Sequence, residues 1–149
     1  MKWIDIPPVW LLAALIATWF IGEAQPFNLS LDFPLTQLLG GLLVGAGVIL
    51  MALAAMEMRK GRTTIIPHSE AASLVTSGIF KRTRNPIYLG DAAILAGLAL
   101  RWDAVLALVL VPVFVWIIER RFIIPEENML RRKFRADFAR YTQKTRRWL

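Results

Sequence analysis

The sequence predicts an all-α integral membrane protein: four transmembrane helices followed by an amphipathic C-terminal helix on the cytoplasmic face. Three observations carry that expectation. The 149-residue chain is 56% hydrophobic and only 19% charged, too apolar for an ordinary soluble domain and too short for two. Apolar runs recur along it at lengths that suit membrane spans. Of its 18 Lys and Arg residues, 17 fall before the first run, between the second and third, or after the fourth. That asymmetry fits four spans with both termini cytoplasmic, within a single membrane domain over 1–149.

The first span reads as 3–21, with Trp10 and Trp19 toward its ends. No small-residue cleavage site follows, so it is a retained span and not a removed signal peptide. Residues 22–34 hold Glu23, Asp32 and two prolines but no Lys or Arg, and form an outer loop. The second span, 35–58, carries no charge before Glu57. At about 1.5 Å per residue it covers roughly 36 Å, enough to cross a core of about 30 Å with tilt. Within it Gly41 and Gly45 form a GxxxG, flanked by Gly40 and Gly47, that would let another helix approach closely.

A basic loop, 60–86, comes next. Residues 86–101 and 104–119 are shorter apolar runs, read as a tight hairpin crossing twice if Arg101, Trp102, Glu119 and Arg120 reach the interface. A re-entrant pair is the alternative. Pro125 then suits the first turn of a new helix over 126–142, and Glu126 and Glu127 suit its positive end. Leu130, Phe134, Phe138 and Tyr141 recur on one face of it, opposite Arg131, Arg132, Arg135 and Arg140. Such a helix lies on the membrane surface or caps the bundle. The terminal Arg146, Arg147, Trp148 and Leu149 look like an interface anchor.

Composition also narrows the chemistry. With no cysteine and one histidine, disulfides are impossible and a Cys/His metal centre is not expected. The net charge of +7 sits beside apolar spans without a nucleic-acid-binding pattern, so anionic lipid headgroups are the expected partner and nucleic acid is not.

The stretch from Leu74 to Gly90 is where a site is expected. Asn85 is a preferred N-cap residue, Pro86 fits the first helical position, and Arg84 stands just outside. Backbone N–H groups, the helix dipole and a guanidinium there converge as a candidate anion site. The hairpin brings this end close to Arg121, Glu126 and Glu127. A zwitterionic amino-acid group fits between such poles, with Leu74, Phe80 and Tyr88 available to cover a planar base. Lipid contact and helix-end electrostatics explain the same charges without a ligand.

The order Leu74-Val75-Thr76-Ser77-Gly78-Ile79-Phe80, then Arg84-Asn85-Pro86-Ile87-Tyr88-Leu89-Gly90, then Glu126-Glu127 with Phe134 and Tyr141, resembles the isoprenylcysteine carboxyl methyltransferase family. That family and the related phospholipid methyltransferases are integral-membrane enzymes using S-adenosylmethionine. The resemblance spans roughly 63–148. It implies that Leu74, Val75 and Phe80 line the adenosine side, that Arg84, Asn85, Pro86 and Tyr88 form the cofactor motif, and that Glu126 or Glu127 holds a polar part of the cofactor. Arg121 is the candidate substrate-side cation.

The chain departs from the family at Asn85, where eukaryotic members have histidine, and at Arg135, where glycine is common. The first departure suggests a prokaryotic inner membrane. The implied activity is S-adenosylmethionine-dependent methyl transfer to a small lipophilic acceptor, an isoprenylcysteine-like carboxylate or thiol. A lipid amine is the alternative acceptor, and a non-enzymatic lipid-binding or membrane-complex assembly protein the alternative of another class. Carboxylates and thiolates need no dedicated base, since positioning and water exclusion supply most of the acceleration. For an amine or hydroxyl acceptor His68 is a candidate base. Asp91, on the helix face of Tyr88, is a better candidate for an added role, because intramembrane carboxylates usually face a polar cavity; hydration at the interface explains it equally.

Overall fold

A computed structural model describes residues 4–26, 28–65, 69 and 71–149. Helices α1 (Pro7–Ala24), α2 (Pro34–Lys60), α3 (Pro86–Arg101), α4 (Leu110–Ile118) and α5 (Ile124–Lys144) account for most of it, and no strand occurs among the described residues. Helices α1, α2 and α3 open on proline, where a missing N–H costs nothing and φ is already set. Trp3, where the first span reads as beginning, lies outside the described residues. By length and apolarity, α1 and α2 are each able to cross a membrane. Leu12, Ile16 and Phe20 on α1, and Leu38, Leu42 and Ile49 on α2, are exposed apolar side chains that suit a lipid boundary.

The tightest helix pair is α2 against antiparallel α3, and glycine sets its spacing. A Cβ built on Gly40 would sit 2.7 Å from the Gly97 carbonyl oxygen, and one on Gly47 would sit 2.6 Å from that of Gly90. The reverse contacts, Gly97 to Gly40 and Gly90 to Gly47, are equally close at 2.6 and 2.7 Å. These are backbone-to-backbone approaches that no side chain permits. The GxxxG itself does not make the seam: Gly45 has nothing within 4 Å of its Cβ position, and Gly41 meets only the Arg101 guanidinium at 3.5 Å. Spacing by seven, not four, keeps glycine on the face that meets α3.

Downstream, the chain does not break where the sequence suggests. A short 3-10 stretch over Val105–Val109 leads into α4, and a π turn over Glu119–Ile123 joins α4 to α5 without interruption. Pro125 therefore sits in a continuous helical run, where its ring would strike the carbonyl four residues back. The wider π turn immediately before it relieves that conflict. Within α5, Arg135 has φ 40 and ψ −111, so the helix is kinked there. Leu130, Phe134, Phe138 and Tyr141 pack on Ala54, Met58, Leu74, Val75 and Phe80, so this face of α5 closes the end of the bundle. Arg131, Arg132, Arg135 and Arg140 point outward.

At the opposite end, Gln25 clasps the α3–α4 connection from both sides of its amide. Its Nε2 donates to the Asp103 carbonyl at 2.8 Å and its Oε1 accepts from the Val105 N–H at 3.1 Å. A main core of Tyr88, Ala92, Leu95, Phe114, Ile118 and Phe122 lies between the two ends.

Candidate active site

Where α2 ends, α3 begins and α5 crosses lies a partly open cavity of about 420 Å³. Pro7, Pro8 and Leu11 of α1 wall it on one side and Met51 and Met58 of α2 on another. Leu74, Val75, Phe80, Arg84, Asn85, Pro86, Tyr88, Glu126 and Glu127 all line it. Those residues span more than fifty positions of sequence and converge because α5 folds back over the α3 N-terminus. Polar lining comes also from Thr63, Thr64, Ser69, Ser73 and Asp91.

The loop before α3 is held by local bonds. Gly78 has φ +56, a left-handed conformation that disfavours any side chain, and its Cβ position lies 2.5 Å from the Glu57 carboxyl carbon. Glu57 accepts from the Ser77 hydroxyl at 2.6 Å, so the turn is tied to the end of α2. The Tyr141 hydroxyl donates to the Phe80 carbonyl at 2.7 Å, and burial pushes the phenol up, keeping it a neutral donor.

Asn85 occupies the N-cap position, but its side chain does not bond the helix N–H groups. Its Nδ2 donates instead to the Arg147 carbonyl at 3.0 Å. The Arg84 N–H donates to the Arg146 carbonyl, also at 3.0 Å. The chain after α5 is thereby strapped across the start of α3. Arg147 and Trp148, which read from sequence as an interface anchor, belong to this strap, because the chain doubles back after Lys144 and brings both onto carboxylates of the α4–α5 run.

The charges form a connected cluster. Arg84 Nη2 donates to Glu127 Oε1 at 2.9 Å, and Arg147 contacts both oxygens of Glu127 at 3.0 and 2.8 Å. Arg147 reaches on to Glu119 at 2.7 Å, and the Trp148 indole donates to the same carboxylate at 3.1 Å. Burial pushes the Glu127 carboxyl up, but hydrogen bonds from Arg147 and Arg84 and their charges outweigh it and hold the group below the usual carboxylate range. Arg84 therefore has its anion within the chain. Its Nε–H is buried and meets no acceptor among the described residues. The neighbouring Glu126 accepts from the Tyr88 hydroxyl at 2.7 Å.

Arg121 is placed apart from this group. It is absent from the cavity lining, its guanidinium bonds both oxygens of Asp5 at 3.2 and 2.7 Å, and it lies 5.1 Å from the Trp10 ring centre. The π turn rotates it toward α1, while Glu126 and Glu127, about a turn and a half later, face the cavity. His68 lies outside the described residues.

A family model for phospholipid methyltransferases matches residues 35–137. The chain belongs to the phospholipid methyltransferase family. No curated protein and no solved structure matches it. Family membership bears out the resemblance read from the separated motifs and implies membrane methyltransferase chemistry. The matched span covers the α2/α3 seam, the loop, the α3 N-terminus and α5 as far as Asp137. The strap from Thr145 to Trp148 and the α1 wall lie outside it, and neither carries a recognisable motif. Only the fold reveals that they border the site.

Proposed function

We propose that this methyltransferase uses S-adenosylmethionine to methylate a small lipophilic acceptor that enters from the bilayer, with four spans, both termini cytoplasmic and a prokaryotic inner-membrane location. The observation that carries the reading is the convergence of the motif residues on one cavity, whose size falls within the range of about 300–1,000 Å³ usual for small-molecule sites. The donor set fits the cofactor. Leu74, Val75 and Phe80 offer an apolar, partly aromatic surface for the adenine. Glu126 presents a carboxylate for the ammonium, and the unused Arg84 Nε–H suits the carboxylate of the amino-acid part. The cofactor supplies an electrophilic methyl group on a sulfonium.

The protein's own work is positional. Tyr88 fixes Glu126 through their short hydrogen bond, and the Arg84–Glu127–Arg147 cluster locks α5 and the strap over the α3 N-terminus. Phe80, Phe138 and Tyr141 close the cavity against water. Holding donor and acceptor in line supplies much of the acceleration in such a displacement.

Calorimetric titration of S-adenosylmethionine into the detergent-purified protein tests this. Saturable binding, weakened about tenfold by Tyr88→Phe or Glu126→Gln, corresponds to about 1.4 kcal/mol and supports the reading. No binding by a protein that melts cooperatively refutes it and returns the chain to the lipid-binding or assembly class.

A further inference from the structure

Among the described residues, Asp91 is the one cavity-lining carboxylate without a hydrogen-bonding or charged partner. It sits on α3 three residues beyond Tyr88, is only 3% exposed, and lines the cavity. Glu126 accepts from Tyr88, while Glu127 carries two arginines and Glu119 an arginine and an indole. No hydrogen bond or ion pair reaches the Asp91 side chain among the described residues. Arg84 is the only Lys or Arg among the described lining residues, and it is bonded to Glu127. A buried carboxylate without a partner is costly, and inside a membrane domain such a group marks a polar pathway or ligand site.

Unless the group is protonated, a cation carried by a ligand is what would complete this site. An acceptor carboxylate or thiolate would bring a second negative charge beside Asp91 and Glu126. An ammonium would bring the missing positive one. Resting on the methyl-transfer reading above, we infer that Asp91 selects an amine acceptor, pairing with its ammonium group and removing a proton from it.

The step balances. An N–H bond of the ammonium breaks and its proton passes to an Asp91 oxygen, leaving a neutral amine. The nitrogen lone pair forms a bond to the methyl carbon of the sulfonium donor, and the carbon–sulfur bond breaks with its electron pair remaining on sulfur. The products are an N-methylammonium and a neutral thioether. Asp91 then returns its proton to water.

The test compares three probes with one tail and different head groups, decylamine, decanoate and decanethiol, on the full-length protein in detergent with S-adenosylhomocysteine present. Decylamine is expected to bind saturably and at least about tenfold more tightly than the others. Asp91→Asn should weaken decylamine at least about tenfold while leaving S-adenosylmethionine affinity within about twofold. Asp91→Glu should retain the preference for the amine. In the intact protein, methyl transfer from labelled S-adenosylmethionine should follow the same order of head groups.

A preference for decanoate or decanethiol overturns the inference, as does decylamine binding that ignores Asp91→Asn. If Asp91→Asn instead weakens S-adenosylmethionine but not S-adenosylhomocysteine, whose sulfur is a neutral thioether, the carboxylate faces the sulfonium and the acceptor role is wrong. Should the intact protein bind no S-adenosylmethionine, the methyl-transfer reading fails by itself. Asp91-dependent decylamine binding then still identifies an ammonium site, and its absence rejects one. If Asp91→Asn does not fold, the head-group preference of the intact protein and its retention in Asp91→Glu decide.

Discussion

Along the seam between α2 and α3 glycine sets the contact, and a charged side chain enters only at one end, where Arg101 donates to the Gln37 carbonyl at 3.3 Å. Gly40 opposes Gly97 and Gly47 opposes Gly90, and the helices meet backbone to backbone. At the site end, α3, α5 and the C-terminal strap are joined by Arg84, Glu127, Arg147 and Glu119, all hydrogen-bonded through side chains. The first contact works through absent side chains and tolerates no addition. The second works through long, charged ones and depends on each partner being present. The cavity opens at the junction, so the rigid seam fixes α3 while the charge cluster holds the roof over its N-terminus.

The seam should be the harder of the two to disturb without losing the protein. Gly47→Val, whose Cβ would overlap the Gly90 carbonyl, is expected to cost more than about 4 kcal/mol because backbone must move. Loss of a cooperative melt in detergent would register it. Arg84→Ala should cost about 3 kcal/mol, the lower end for breaking a buried pair, since Glu127 keeps Arg147. A lowered melting temperature together with lost cofactor binding would separate this from the seam variant, which should lose both with the fold.

The charge cluster should also be sensitive to pH where the seam is not. Glu127 is held below the usual carboxylate range, so its stabilising contribution is fully present above the ordinary value of about 4.3 and disappears as pH falls through the lowered folded value. An acid titration followed by melting temperature should show this loss, and Arg147→Gln should move it to higher pH.

A smaller effect is expected at the α5 kink. Arg135→Gly relieves φ 40 and should stabilise by about 1 kcal/mol after glycine's own entropy cost. Chemical denaturation would measure it. Smallest of all is Gly45→Ala, which meets nothing and should leave stability within about 0.5 kcal/mol. A large loss there would mean that the GxxxG face is packed after all.

Parts of the site were legible because they are local. Asn85-Pro86 marks a helix start through proline's fixed φ, and the Leu130, Phe134, Phe138 and Tyr141 stripe marks the buried face of α5 through its period. At Arg135 the resemblance leads one to expect glycine, and the positive φ found there is a conformation that glycine adopts without strain. Other features are relations between distant segments. Gly41 and Gly45 match a packing motif, yet Gly40 and Gly47 face α3, because the face a helix presents is set by its neighbour and not by its own spacing. Arg121 sits near Glu126 in sequence, but the π turn sends it toward Asp5 and Trp10.

The sequence by itself determined the helical class, the apolar runs, the family and the residues of the cavity's motif, since periodicity, hydropathy and proline placement act within a few turns of chain. The tertiary structure alone decided which charges are satisfied. Glu127 is neutralised by an arginine twenty positions away and another forty-three away, whereas Asp91 is buried with no cation beside it among the described residues. Whether a buried charge is structural or awaits a ligand depends on what the fold carries to it, and that is a property of three-dimensional proximity.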